Sequence, residues 1–224
     1  MPNRVPTVAA VAEPERPSDP GRLVGREREL ALLAGTLAEA ADGATVWAVL
    51  TGPAGIGKTR LAEEATRQAG AGHVVWVNCP DEPGTPPWWP MRQLVRALGG
   101  NADEVLEAPD DADADTARFR VYERIALLLQ ATRGLVVVID DAQWADPASL
   151  GALAYAASAL REHPVAVILT VIRHTRAEEE NAMGYQRWYM ERMFLIAPAG
   201  AYVAKWLQSF REFPPRQKPG SFNL

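Results

Sequence analysis

Residues 44–59, ATVWAVLTGPAGIGKT, decide the fold, because an almost wholly apolar run ends there in a glycine-rich loop. A continuous apolar run of this length is typical of a strand buried on both faces of a parallel sheet. From Gly52 to Thr59 the sequence matches G-x-x-x-x-G-K-[ST] at every fixed position. Residues 58–68 then have helical character and stop near Gly70. This order of strand, loop and helix predicts a phosphate-binding loop.

The loop contains the residue types that phosphate binding needs. Glycines let backbone N–H groups turn inward around phosphates, and the following helix adds the positive end of its dipole. Lys58, predicted to lie otherwise at the surface, is expected to reach the β- and γ-phosphates, and the Thr59 hydroxyl to ligate Mg²⁺. The alternative is a glycine-rich turn without a ligand. The predicted nucleotide-binding residues here are Gly52, Pro53, Ala54, Gly55, Ile56, Gly57, Lys58, Thr59 and Arg60.

A second buried strand ends in paired aspartates, in residues 135–141, LVVVIDD. Ligands of open α/β sheets bind at the carboxyl ends of the strands, so both carboxylates are predicted beside the phosphate loop. Asp140 is expected to hold Mg²⁺ through water, and Asp141 to polarise the attacking water. The alternative is that the pair caps the next helix, although Asp146 before Pro147 already suits that purpose.

Strands and helices alternate on either side of these motifs. Apolar runs predict further strands at residues 73–79 and 165–172, and helical spacing predicts helices at 23–37, 91–98, 116–130 and 147–162. Asp115 is the predicted cap of the third of these helices, and residues 99–113 are predicted to be a surface loop. Trp88 and Trp89 are expected to pack in the core rather than line the nucleotide. The predicted fold class is α/β: a P-loop NTPase domain at residues 23–173, with about four parallel strands and helices on both faces.

The two ends of the chain differ from this domain. Residues 1–22 hold five prolines and few residues that could be buried, which predicts a disordered tail. Residues 174–224 are rich in aromatic residues and predict a helical appendage, with helices near 177–195 and 199–213 and no further strand. The aromatic stripe of the second helix is predicted to cover the open edge of the sheet.

Composition excludes several function classes. A single cysteine, Cys79, rules out a disulfide framework and a cysteine-rich metal site. A net charge of −5 gives no overall attraction to nucleic acid or an anionic membrane. The longest uncharged apolar run, residues 165–172, is too short to cross a bilayer, and the N-terminus lacks the apolar core of a signal peptide. A cytoplasmic protein is expected, and the sequence indicates no particular protein partner.

Three ordered motifs make residues of about 22–173 recognisable: LVGRE at 23–27, GPAGIGKT at 52–59 and DDAQWADP at 140–147. Together they resemble the AAA/STAND-type ATPase module of large ATP-binding regulators of the LuxR family. The resemblance implies that Val24 and Arg26 lie near the adenine and that Arg173 senses the γ-phosphate in catalysis, alongside Lys58 and Asp141. From the residues alone, a solvated Arg173 is an equal alternative.

The tail has a different resemblance. Residues 184–193, GYQRWYMERM, and 213–224, FPPRQKPGSFNL, are similar to the C-terminal end of bacterial arylsulfatases. No sulfatase chemistry is expected, because the only cysteine lies in CPDEP, which does not fit the formylglycine motif. DNA binding is not expected either, since the regulators bind DNA through a part that does not follow Arg173. The expected function is Mg-ATP binding with slow hydrolysis; a nucleotide-binding switch without turnover and a truncated fusion product remain as alternatives.

Overall fold

A computed structural model describes residues 23, 25–108, 113–160, 162–172, 203, 204 and 207, together with the backbone of 194–197. The strands are β1 (Thr45–Gly52), β2 (His73–Asn78), β3 (Leu135–Asp140), β4 (Val165–Ile172) and β5 (Phe194–Ala197). The helices are α1 (Glu27–Ala41), α2 (Lys58–Gln68), α3 (Trp89–Ala97), α4 (Ala102–Leu106), α5 (Ala114–Ala131) and α6 (Pro147–Ala159).

The strands form one sheet in the order β2-β3-β4-β1-β5. The first four are parallel, as the sequence predicts, and β5 runs antiparallel to β1. The chain crosses the sheet in one direction from β1 to β2 and returns through β3 to β4. This order places the carboxyl ends of β1, β4 and β3 side by side.

Helices cover both faces of the sheet, because right-handed crossovers made in opposite directions must pass on opposite sides. On one face α1 and α2 pack on alternate residues of the strands, among them Val46, Val138 and Ile168. On the other face α3, α4, α5 and α6 pack on the intervening residues, among them Val137 and Leu169. The two apolar layers therefore fix which strand residues are buried on each side and leave the strand ends for polar groups.

The helices differ from the sequence prediction at three places: the start of α5, the added helix α4 and the start of α1. Helix α5 is capped by Asp113, whose Oδ1 accepts from the N–H groups of Asp115 and Thr116, so the predicted cap at Asp115 is wrong. Both aspartates have the right chemistry, and the helix begins at the earlier one. The predicted loop 99–113 contains α4, which buries Ala102 and Leu106. Helix α1 begins at Glu27, four residues later than predicted.

The largest departure lies in the tail. Residues 194–197 form β5, so the prediction that no strand follows β4, with a helix reaching residue 195, is wrong there. Strand β5 pairs with the outer edge of β1, from Trp47 opposite Ala197 to Leu50 opposite Phe194. Val203, Ala204 and Leu207 are buried helical residues in the same core as Trp47. Edge backbone groups that would otherwise be open are thus paired with the tail. Among the described residues, no helix is long and apolar enough to cross a membrane.

Candidate functional site

The glycine-rich loop, residues 52–57, joins the carboxyl end of β1 to the first residue of α2. Gly55 and Gly57 have φ angles of 75° and 93°, a left-handed conformation that favours glycine. At Gly52 a Cβ would stand 3.1 Å from Cγ2 of Ile56, so the loop closes tightly over this position. The glycines at these three positions therefore allow a compact turn that presents backbone toward the start of α2.

Lys58 is held inside this turn. Its Nζ donates to the carbonyl oxygens of Gly52 at 3.1 Å and Pro53 at 3.0 Å. The residue is only 8% exposed, so its predicted surface position is wrong. Burial lowers the pKa of the Lys58 ammonium, and the negative charges of Asp141 and Asp140 oppose that shift. A phosphate group beside Nζ would supply the further negative charge that this buried cation favours.

Asp140 lies at the end of β3, within reach of two hydroxyl groups from other elements. Thr59 Oγ1 donates to its two carboxylate oxygens at 2.9 Å and 3.1 Å, and Thr170 Oγ1 donates to Oδ1 at 2.6 Å. Thr170 is fully buried on β4, and its hydroxyl also accepts from the Asp141 N–H at 2.8 Å. One hydroxyl therefore ties both aspartates of the pair to the neighbouring strand.

Asp141 follows β3 in a left-handed conformation, with a φ angle of 55°. Aspartate tolerates this conformation better than most residues, and such backbone positions are concentrated at functional sites. Its Oδ1 accepts from Nε2 of Gln143 at 3.1 Å, and Oε1 of Gln143 accepts from the Ile172 N–H at 2.9 Å. The paired aspartates do not cap α6, because Asp146 does so through the N–H groups of Ala148 and Ser149.

A cleft of about 400 Å³ lies at the carboxyl edge of the sheet. Lys58, Thr59 and Arg60 form the α2 side, and Asp141 and Ile172 form the opposite side. Ala54, Gly55 and Gly57 contribute the loop. The cleft thus combines a buried cation, a helix N-terminus and an acidic wall, an arrangement suited to a phosphate chain with a divalent cation.

The donor set fits Mg²⁺ rather than a transition metal. Thr59 and Asp140 bring a hydroxyl and a carboxylate together, and hard oxygen donors of this kind suit Mg²⁺ when phosphates complete its coordination. Within the described ranges there is no group of three or more His, Cys, Asp or Glu that could hold a metal by itself. The residues present therefore fit a cation that arrives with a phosphate ligand.

Other candidate residues have different places. Arg26 pairs with Glu29 at 3.1 Å and is not among the residues lining the cleft. Val24 and Arg173 lie outside the described residues. Trp88 packs against the core and meets the Tyr122 ring edge-on at 6.0 Å, which confirms the core prediction for that residue.

Cys79 lies close to the aspartates but has no nucleophilic character. Its N–H donates to the Asp140 carbonyl at 3.1 Å, and its side chain is buried. Burial raises the pKa of the Cys79 thiol to about 12, with help from the negative charges of Asp141, Asp146 and Asp140. The thiolate is the reactive form, so this neutral thiol is inert at ordinary pH.

Sequence reasoning missed Thr170 and Gln143, which bond to the cleft-lining residues Asp141 and Ile172. Gln143 lies within the DDAQWADP motif, three residues after Asp140, which is a local signal. Thr170 is a hydroxyl within the apolar run of β4, at its carboxyl-terminal part, where a buried polar residue requires a partner. Both residues bond to partners across 29 or 30 positions of the chain, which periodicity cannot show.

A family model described as the AAA ATPase domain matches residues 22–168. The chain belongs to the AAA ATPase domain family. This membership supports nucleotide binding and ATPase-type activity for the cleft. No curated protein matches the sequence at a significant level.

One solved structure with a TM-score above 0.5 supports the same fold. The chain is similar to Cdc6p from Pyrobaculum aerophilum, with a TM-score of 0.51 and 18% identity over 80% of this chain and 46% of that chain. It thus spans less than half the length of that protein. A RuvB mutant from Thermotoga maritima has a TM-score of 0.37 and 16% identity over 66% of this chain and 39% of that chain. The Drosophila ORC bound to AT-rich DNA and Cdc6 has a TM-score of 0.34 and 13% identity, over 66% of this chain and 50% of that chain.

Proposed function

We propose that the cleft binds Mg-ATP and hydrolyses it slowly. The observation that carries the proposal is the meeting of Lys58, Thr59 and Asp140 at one end of the sheet, where Thr59 Oγ1 lies 2.9 Å from Asp140 Oδ1. The cation suits the negative phosphate oxygens, and the hydroxyl and the carboxylate suit the Mg²⁺ that accompanies them. The family supports nucleotide binding in general; adenine as the base rests on the sequence resemblance.

Each residue has a separate task in this proposal. Lys58 exchanges the carbonyl oxygens of Gly52 and Pro53 for phosphate oxygens, and the loop amides together with the N-terminus of α2 hold the remaining charge. Thr59 and Asp140 would hold Mg²⁺, which would supply positive charge to the phosphates. Arg60 lines the same side of the cleft and adds a positive charge near the phosphates.

Asp141 orients the water for hydrolysis. The water oxygen attacks the γ-phosphorus, and the bond from that phosphorus to the β,γ-bridging oxygen breaks. ADP and inorganic phosphate leave, and the Asp141 carboxylate accepts a proton from the water. The geometry supports this division of tasks, because the hydroxyl groups of Thr59 and Thr170 bond to Asp140, while Asp141 lies on the cleft surface.

The bonds that the cleft groups already make oppose tight nucleotide binding. Lys58 Nζ bonds to two carbonyl oxygens and Thr59 to Asp140, and both sets of bonds must open before ligand contacts form. Slow turnover is supported by the resemblance to the LuxR-family regulators, which implies a module that responds to nucleotide rather than one built for rapid turnover. On the same ground we attribute the module to such a regulator. Four further statements stay predictions: the sulfatase-like origin of residues 174–224, the absence of sulfatase chemistry in that tail, the absence of DNA binding and a cytoplasmic location.

Steady-state phosphate release on the full chain tests the proposal. We expect Mg²⁺-dependent release that is slow compared with the roughly 1–100 s⁻¹ of efficient phosphoryl-transfer enzymes. Tight Mg-ATP binding with no release would instead favour a nucleotide switch without turnover. The absence of both binding and release would contradict the assignment of the cleft.

Competition between ATP and GTP tests how the base is held. Because the residues that line the cleft suit phosphates and a metal rather than a base, we expect both nucleotides to displace a fluorescent ATP analogue at similar concentrations, and only with Mg²⁺ present. Val24 and Arg26 are the proposed adenine neighbours, and Arg173 the proposed γ-phosphate sensor. A strong preference for ATP would show that base contacts dominate, and would contradict a site held mainly by phosphates.

A further inference from the structure

Gln143 is a buried amide whose two ends are both used by the cleft wall. It lies in the 3-10 turn Ala142–Trp144 and is 5% exposed. Its Nε2 donates to Asp141 Oδ1 at 3.1 Å, and its Oε1 accepts from the Ile172 N–H at 2.9 Å. Burying an amide is costly unless donor and acceptor are both paired. The pairing here joins two residues that line the cleft from different strands.

The Asp141 carboxylate is directed by this hydrogen bond, beside the attraction of the Lys58 charge. Its backbone is held by the bond from its N–H to Thr170 Oγ1, but this bond leaves the side chain free to rotate. The amide of Gln143 fixes one carboxylate oxygen and so chooses the direction of the other. A displacement of about 1 Å in a group that orients a reactant can reduce a rate a hundredfold.

The geometry points to Gln143 as a positioning residue that aims the Asp141 carboxylate and links it to the end of β4. The inference rests on the proposed hydrolysis in the cleft. The link has two parts with separate effects: the donor Nε2 sets the direction of Asp141, and the acceptor Oε1 ties that direction to Ile172. A shift of the β4 end is thereby transmitted to the group that orients the water.

Gln93 provides a matched control. Its side-chain amide, like that of Gln143, forms two hydrogen bonds, and here both partners are backbone groups. Oε1 accepts from the Asn78 N–H at 3.2 Å, and Nε2 donates to the Asn78 carbonyl at 2.8 Å. Gln93 is on α3 and does not line the cleft. Replacing either glutamine with methionine keeps the side-chain length and removes two bonds, so the two variants differ mainly in which partners lose them.

The test is steady-state phosphate release at saturating Mg-ATP, together with the concentration of Mg-ATP that gives half the maximal rate. We expect Gln143→Met to lower the rate by about 10- to 100-fold, as loss of a supporting contact does in comparable sites, and to change the half-saturating concentration by less than about threefold. Gln93→Met should leave both at the parent values. If Gln143→Met fails to fold, Gln143→Glu takes its place, since it keeps an acceptor for Ile172 and replaces the donor to Asp141 with a carboxylate oxygen that repels it.

The outcomes distinguish a failure of the proposed function from a failure of the positioning role. A parent chain that binds Mg-ATP without hydrolysis contradicts the proposed function, and this inference with it. A parent that hydrolyses, with a folded Gln143 variant at the parent rate, overturns the positioning role alone. An equal loss of rate in Gln93→Met would show that general loosening of the fold, rather than the aim of Asp141, is responsible, and would also overturn it.

Discussion

The carboxyl edge of the sheet and the interface between α5 and α6 are both buried, but by different means. At the carboxyl edge, buried side chains are polar and bond to one another, with Thr170 fully buried and Gln143 and Lys58 nearly so. Between α5 and α6, apolar groups fill the space: the buried Tyr122 ring of α5 lies 6.0 Å from the Tyr155 ring of α6, measured between ring centroids.

This difference links the carboxyl edge to nucleotide binding and the α5–α6 interface to stability. Buried polar groups add little net stability, because their hydrogen bonds mainly offset the cost of leaving water. Packed rings stabilise the fold directly through the apolar area they remove from water. Changes at the carboxyl edge should therefore alter nucleotide handling more than folding, and changes between α5 and α6 should do the reverse.

The largest expected effect is on hydrolysis, in Asp141→Asn. Asparagine also tolerates the left-handed backbone at this position, and its amide oxygen can still accept from Gln143. We expect phosphate release to fall by at least about 100-fold, while Mg-ATP binding is retained, because the substitution removes the carboxylate that takes the proton. Asp140→Asn is the matched control, in which the Mg²⁺ dependence of binding should weaken instead. Hydrolysis by Asp141→Asn at the parent rate would contradict this division of roles.

Much of this region could be predicted from local sequence. The apolar runs of β1 and β3, the glycine-rich loop and the aspartate pair each carry their signal within a few residues. The burial of Lys58 could not be predicted, because its partners are loop carbonyls whose orientation depends on the turn. Likewise, β5 is set by a free edge of β1 far along the chain, and α4 by the burial of Ala102 and Leu106. The burial of Lys58, strand β5 and helix α4 thus depend on partners in the folded chain that sequence periodicity does not show.

A smaller effect is expected from Thr170→Val, which keeps the shape of the side chain. The substitution removes the donor to Asp140 and leaves the Asp141 N–H without its acceptor. We expect the Mg²⁺ concentration for half-maximal ATP binding to rise by roughly 10- to 100-fold, the range for loss of a contact behind a metal ligand. Thr170→Ser restores the hydroxyl and should return this concentration close to the parent value. Similar Mg²⁺ requirements in all three proteins would contradict the role of Thr170.

The helix interface gives the reverse pattern in Gly151→Ala. A Cβ on Gly151 would stand 2.1 Å from the Tyr122 hydroxyl oxygen, so the ring must move out of its packed position. We expect the free energy of unfolding to fall by about 1–3 kcal/mol, a typical cost of overpacking. Denaturant unfolding measures this value, and Mg-ATP affinity should be unchanged under folding conditions. A large loss of affinity without loss of stability would contradict the separation of the two regions.

The smallest expected effect is an increase in the free energy of unfolding, and it comes from a glycine-to-alanine substitution on α1. Gly35 lies within that helix, and an added Cβ would meet nothing within 4 Å. Gly35→Ala should therefore raise the free energy of unfolding by roughly 0.5–1 kcal/mol, because alanine loses less conformational freedom in a helix. Comparing the two glycines by denaturant unfolding isolates the contribution of the Tyr122 contact. A loss of stability in Gly35→Ala would show that glycine substitution itself, rather than that contact, lowers stability in Gly151→Ala.

The central claim is that Lys58 is buried for the sake of a phosphate ligand and not for the fold. Thermal melting of the parent, Lys58→Ala and Arg67→Ala, each with and without Mg-ATP, tests it most directly, since Arg67 is on the same helix but outside the cleft. At a hundredfold excess of ligand over Kd, binding stabilises by about 2.7 kcal/mol, or roughly 5–10 °C for a domain of this size. We predict this shift in the parent and Arg67→Ala and none in Lys58→Ala, with all three melting at similar temperatures without nucleotide. An equal shift in Lys58→Ala, or a large loss of its stability without nucleotide, would contradict the claim.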